Sequence, residues 1–229
     1  NITEVATICH KVDGIPLAVE LVAGRTKYMD AQTIIDRFGG RLAEIPSMVP
    51  GTIERHKTLQ ATIEWSYNLL TEEEKNLFRR LSVFTGGFDL TSAEEVCANE
   101  FLPKERIIDI LPRLIDTCLV QTGYTEKRKM RYNQLETLRQ YGMLVLSEKK
   151  ENEEVSNKHL EYFSRIAEQA YDERMSKQAY WMDKIQLEHT NFLAALIWAE
   201  SCEPEMFSRL AANLAWFWGR FNNFSMAVD

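Results

Sequence analysis

The chain has 229 residues, with 34 acidic side chains against 27 basic ones and a net charge of -7. At about 150 residues per domain that is one to two domains. The acid excess argues against a general polyanion binder, which needs clustered cations to displace counterions. No apolar run approaches the roughly 18 residues of a membrane span.

The first residues, Asn1 to Val5, show neither an initiator Met nor a signal-peptide pattern, and the last stretch ends inside an apolar helical pattern around Leu214 to Trp218. The chain therefore reads as a piece of a longer, cytoplasmic protein without a membrane partner. Helical periodicity dominates. Over 3–23 it gives Val5, Ile8, Val12, Leu17 and Leu21, broken by Asp13-Gly14, with Pro16 suited to the first turn of the next helix. Ile34, Ile35, Phe38, Leu42 and Ile45 mark a second segment, weakened or split at Gly39-Gly40, and 46–51 form a loop. A helix follows from Leu59 to Leu70.

Thr71-Glu72-Glu73-Glu74 is a capping box opening a helix through Phe84, which Gly86-Gly87 stops. Thr91-Ser92-Ala93-Glu94 reads as a second box, opening a short helix to Ala98. A stripe over 104–117 predicts another helix, with Pro112 a local conflict. Residues 118–122 and 130–135 then read as two strands, followed by a helix from Glu136 to Glu148. Residues 147–157 read as a linker or an exposed helix start. Three long helices, 154–175, 178–200 and 203–222, have the stripes of stacked antiparallel helices.

Catalytic patterns are missing. Cys9, Cys97, Cys118 and Cys202 form no C-x-x-C, so they read as reduced, mostly buried thiols, and the four histidines form no H-E-x-x-H. No Gly precedes a Lys, which removes the phosphate loop, and neither G-x-G-x-x-G nor G-x-S-x-G occurs. The chain is not read as an autonomous enzyme, and no catalytic or metal-binding residue is assigned.

The fold class is mainly α, in three parts: a helical domain over 1–55, a winged helix with a small β-hairpin over 56–150, and the start of helical-repeat (TPR-like) antiparallel helices over 151–229. In the reading helix of the middle part, Lys104, Arg106 and Arg113 face Glu105, Asp109 and Asp116, and Asn and Gln are absent. A major-groove reader needs better donors. The hairpin carries Lys127, Arg128, Lys129 and Arg131, either a solvated tip or a phosphate contact. The tip reading is preferred, so direct nucleic-acid binding is not expected and the winged helix reads as a protein–protein or interdomain module.

Four stretches together resemble the STAND class of nucleotide-regulated signal-transduction ATPases, with the nearest likeness to the NB-ARC-like module of large bacterial LuxR-type and AfsR-type transcriptional regulators. They are Gly14-Ile15-Pro16-Leu17 with the residues to Leu21; 55–70, with Glu64-Trp65-Ser66-Tyr67, continued by Phe78 to Phe84 and Gly86-Gly87-Phe88; Leu114 to Val120 with Arg131 to Tyr141; and Leu187 to Ala199. The resemblance implies a P-loop domain outside this chain holding ATP or ADP with magnesium. Ile15, Pro16 and Leu17 would lie along the base, and the winged helix would latch onto the ADP-bound state. Exchange to ATP would release it toward a homo-oligomer. An inducer or partner protein would bind the later helices, and the parent protein is compatible with a slow ATPase. Where relatives carry Met-His-Asp this chain has Leu135-Glu136-Thr137, so Glu136, Arg139 and His56 are the candidates for nucleotide sensing. The chain alone is expected to hold no nucleotide tightly. The alternatives are a DNA-binding winged-helix protein and a helical-repeat adaptor without a nucleotide.

Overall fold

The computed structural model describes residues 2–12, 15–41 and 54–220, with 38–41 and 54–58 described by backbone alone. The first helices are α1 (Ile2–Lys11), α2 (Pro16–Gly24), α3 (Ala31–Arg41) and α4 (Glu54–Asn68), with a 3-10 turn at Arg25–Lys27. Pro16 opens α2 as expected, where its missing N–H leaves no bond unmade. Ile8, Val12, Ala18, Val22, Ile34 and Trp65 form a small core of their own, which α4 and Leu21 of α2 tie to the larger one. Gly39-Gly40 do not split α3, whose backbone stays helical to Arg41. α4 begins at Glu54 rather than Leu59, which puts the expected domain boundary at 55/56 inside a helix. The expected stop at Asp13-Gly14, the apolar Leu42 and Ile45, the loop at 46–51 and the residues after 220 lie outside the described residues.

A winged helix follows: α5 (Glu72–Leu81), α6 (Leu90–Cys97), α7 (Lys104–Asp116), the antiparallel pair β1 (Gln121–Tyr124) and β2 (Met130–Asn133), and α8 (Glu136–Glu148). The Thr71 capping box is present, with Glu74 N–H donating to the Thr71 hydroxyl at 3.3 Å and Thr71 N–H to the Glu74 carboxylate at 2.8 Å. The second box is displaced: it is formed by Asp89 and Ser92, at 2.8 and 3.0 Å, not by Thr91 and Glu94. Phe88 explains the displacement. Its N–H and C=O both pair with Tyr132 at 2.8 Å, adding a one-residue third strand to the hairpin. The chain therefore leaves the sheet extended at Asp89, which is the backbone an N-cap requires.

Pro112 does not break α7. It lies on the exposed side of the helix, where water can satisfy the carbonyl its ring leaves unpaired. The first strand starts at Gln121, not Cys118. Cys118 takes a left-handed conformation (φ 59°), and the N–H groups of Cys118 and Leu119 return to Ile115 and Leu114, both at 2.9 Å. That is a Schellman stop, usually made with Gly, so a β-like run of apolar residues is in fact a helix end.

The later helices are α9 (Asn152–Glu173), α10 (Gln178–Leu187), α11 (His189–Cys202) and α12 (Pro204–Arg220). A second Schellman stop, with Lys150 left-handed (φ 59°), joins α8 to α9. Of the two readings of 147–157, the helix start is the one seen. One apolar core runs continuously from α5 through α12, from Leu77 to Trp218, with no gap at residue 150. α9 packs against both α11 and α12. The expected helix 178–200 is two helices, parted at Glu188, for a reason that belongs to the site. Among the described residues no helix is long and apolar enough to cross a membrane.

Candidate functional site

The winged helix meets its surroundings through α7 and the hairpin. Every cation on α7 is already matched. Lys104 reaches Glu95 at 2.7 Å, Arg106 reaches Glu73 at 2.9 Å and Asp109 at 3.2 Å, and Arg113 reaches Glu74 at 3.1 Å. The C-terminal turn is also docked on the first unit: Lys27 pairs with Asp116 at 2.5 Å, and the Arg113 guanidinium lies 5.5 Å from the Tyr28 ring centre. Asp116 is held below the usual carboxylate range by its bond from Lys27. The ion-paired side chains of Lys104, Arg106, Asp109 and Arg113 are themselves about half exposed, and between them α7 shows Glu105, Ile108 and Pro112 to solvent, with Phe101 just before it.

The hairpin tip carries the other expected cations. Lys127 pairs with Asp183 of α10, both well exposed. Arg128 and Lys129 are exposed, and no side-chain partner for either is recorded among the described residues. The loop is tight: Thr125 N–H donates to Lys129 C=O at 2.9 Å and Arg128 N–H to Thr125 C=O at 2.8 Å. Arg128 is left-handed (φ 57°), a conformation that costs a non-glycine residue about 1–2 kcal/mol.

Arg131, four residues further along, has a different fate. Its guanidinium is bidentate to Glu188, at 2.6 and 2.9 Å, and also donates to the carbonyls of Gly86 and Gly87, at 2.8 and 3.1 Å. Asn191, fully buried, donates to Gly87 C=O at 2.9 Å and Glu188 at 2.8 Å, and accepts from Thr85 N–H at 3.0 Å. A Cβ at Gly86 would sit 1.9 Å from the Thr190 hydroxyl, and Gly87 has φ +77°. α5 has already ended at Leu81, so the pair of glycines does not stop it as expected; it lets α11 approach the hairpin. Glu188 is the residue between α10 and α11, so the break in the expected long helix is where this ion pair is made. An Arg in a basic run and a Glu in a helical stripe gave no sequence signal for it.

A second ionic junction lies at α5. Arg80, with no solvent exposure, donates to Glu154 at 2.7 Å and Glu151 at 3.3 Å, and Arg79 reaches Glu151 at 2.7 Å. The bond from Arg80 holds the Glu154 carboxyl at about 2. Between the two junctions His159 of α9 is buried against Phe84 and Phe163, with ring centres 5.4 and 4.5 Å away. Burial pushes it down to about 4, so it is neutral.

Glu136 and Arg139 are brought together in the first turn of α8, but they occupy each other. Two bonds, at 2.8 and 2.9 Å, join them, and Arg139 also reaches Ser82 C=O at 3.2 Å. They line a cavity of about 450 Å³ with Gly86, Gly87 and Arg131. Pro16 is not among its lining residues. It is exposed at the start of α2, between half-buried Ile15 and Leu17. His56 lies in α4, and its side chain is outside the described residues.

Residues 70–147 match the winged helix-turn-helix domain family. Over 232 aligned residues the chain is 34% identical to a protein of Mycobacterium tuberculosis (strain ATCC 25618 / H37Rv) provisionally named an HTH-type transcriptional regulator. A protein of Mycobacterium bovis (strain ATCC BAA-935 / AF2122/97) with the same provisional name is equally similar. Each alignment covers 95% of this chain and 26% of the relative, so the chain spans about a quarter of the regulators it matches. A second M. tuberculosis protein, whose name states no function, is 34% identical over 166 residues, 71% of this chain and 42% of its own length. No solved structure matches the chain.

Proposed function

We propose that this chain is a regulatory segment of a larger transcriptional regulator, and that its winged helix is a docking module between parts of that regulator rather than a reader of bases. One observation carries this reading: each cation of α7, though about half exposed, is paired with a carboxylate of the chain itself, and the side chains between them are an acid and apolar groups. Such a helix offers a duplex neither the bidentate donors nor the positive field that base reading needs. The test is duplex binding by fluorescence anisotropy across a salt series. Weak, sequence-indifferent binding is expected. Nanomolar binding with a sequence preference would overturn the reading.

The second reading, direct DNA binding, is favoured by the winged helix-turn-helix match, by the names of the relatives and by the exposed wing cations. It requires an affinity that falls with salt by about two to three phosphate contacts and is lost when Lys127, Arg128 and Lys129 are neutralised together. The nucleotide-switch reading has no support from the family match or the relatives and rests on the residue likeness. Within it, exposed Pro16 with Ile15 and Leu17 would lie along a base, and Arg139, held by Glu136, would have to be released before it met a phosphate. Magnesium and the phosphates would need a P-loop domain elsewhere, the later helices would receive an inducer or partner protein, and the regulator would work in the cytoplasm. The isolated chain is then expected to bind ADP weakly. Submicromolar binding by calorimetry would contradict this.

A further inference from the structure

The two elements a winged helix presents to its ligand carry opposite charge here. The outer side of α7 and the turn before it expose Glu100, Phe101 (56%), Glu105, Ile108 (53%) and Pro112, beside Lys104, Arg106 and Arg113, which are also exposed but each neutralised by a carboxylate of the chain. No side-chain partner of Glu100 or Glu105 is recorded among the described residues. The hairpin exposes Arg128 and Lys129, with one acid, Glu126, beside Tyr124 (71%) and Met130 (41%). Each patch has large apolar side chains open to solvent. A polyanion laid across this part of the molecule would gain at the wing and be repelled at the helix. A partner with one sign of charge fits only half of it. The surface it fits must carry an acidic–apolar patch and a basic–apolar patch, and a second copy of this chain carries both.

We propose that the winged helix self-associates, with the basic hairpin tip of one copy on the acidic, apolar outer side of α7 of another. This rests on the reading of the winged helix as a docking module. A second observation points to the same tip. Arg128 occupies a left-handed loop position that glycine would fill without strain, so a long cationic side chain stands where the loop itself does not call for one.

The test is sedimentation of the whole chain at rising concentration in about 0.1 M and about 1 M salt, where the screening length falls from about 10 to about 3 Å. Concentration-dependent association that weakens at high salt is expected. Two variants separate the contact from general stickiness: Arg128→Glu with Lys129→Glu on the hairpin, and Glu100→Lys with Glu105→Lys at α7. Each alone should weaken association by roughly 10-fold or more, because like charges then face each other. Mixed in equal amounts they should associate again, since every contact in the mixed pair joins opposite charges. Ile108→Asp should weaken association at both salt concentrations. A wild-type chain that stays monomeric throughout, or variants whose mixture fails to recover, would overturn the proposal. Monomers that bind a DNA duplex through the hairpin would also overturn it and would favour the second reading above. Association retained beside sequence-specific DNA binding would overturn the docking-module reading and leave the self-contact standing.

Discussion

The same hairpin is tied to the later helices by two ion pairs four residues apart, and they differ in kind. Lys127–Asp183 joins two side chains that are 66% and 57% exposed; Arg131–Glu188 joins two that are 13% and 6% exposed. An exposed pair is worth about 0–1 kcal/mol, because water screens it and two long side chains must be ordered. A buried pair is a different object. The pair itself can contribute little net, but removing one partner leaves an uncompensated charge and costs about 3–5 kcal/mol. Proximity in sequence therefore says little about which contact fixes the wing in place; burial and the number of satisfied donors decide it.

Removing the buried acid should show the contrast most strongly. Glu188→Ala strands Arg131 beside Gly86 and Gly87 and removes three bonds of the buried network, so denaturant unfolding should report a loss of about 3–5 kcal/mol. A loss under 1 kcal/mol would mean the two pairs are equivalent. Acid acts on the same junction through His159. Its folded value, about 4, lies below the unfolded value near 6.5, so the unfolded chain binds the extra proton first. The contribution is whole above pH 6.5 and is lost as pH falls toward 4, by on the order of 3 kcal/mol at pH 4. Stability against pH should therefore fall over that window in the wild type and flatten in His159→Gln. Glu154, held at about 2 by Arg80, adds a further loss only below about pH 4.5.

Two smaller changes sharpen the exposed side of the comparison. Arg128→Gly should raise stability by up to about 1 kcal/mol by relieving the left-handed strain, while weakening any contact the hairpin makes. A thermal melt gives the first effect and sedimentation the second. Lys127→Ala should move the melting midpoint least, by no more than about 1 kcal/mol in equivalent stability. A larger loss would show that the tip, and not only Arg131, holds the hairpin to α10.

Apolar periodicity and capping chemistry made the helices and the order of the winged helix legible, as at Thr71, whose box is present. The misplacements have shared causes. Cys118 and Lys150 occupy left-handed helix ends where glycine would have announced a stop, so one end read as a strand and the other as a possible linker. Asp89 is the cap because Phe88 pairs with a residue 44 positions away, and nothing local reports that bridge. Pro112 sits in a helix because its side faces water. At the site, the basic run 127–131 reads as one group, yet the fold divides it. Lys127, Arg128 and Lys129 stay at the surface, while Arg131 turns inward to a Glu that a continuous helical stripe had hidden.

The unbroken core from Leu77 to Trp218 has a mechanical consequence. Arg79 and Arg80 grip the head of α9, Arg131 grips Glu188 at the head of α11, and Asn191 of α11 reaches back to Gly87, so the hairpin and the helical array lack a compliant joint at residue 150. A force applied at the far end of α12 would swing the wing as the tip of a stiff oar rather than bend at its root, and the leverage would grow with every helix added to the array.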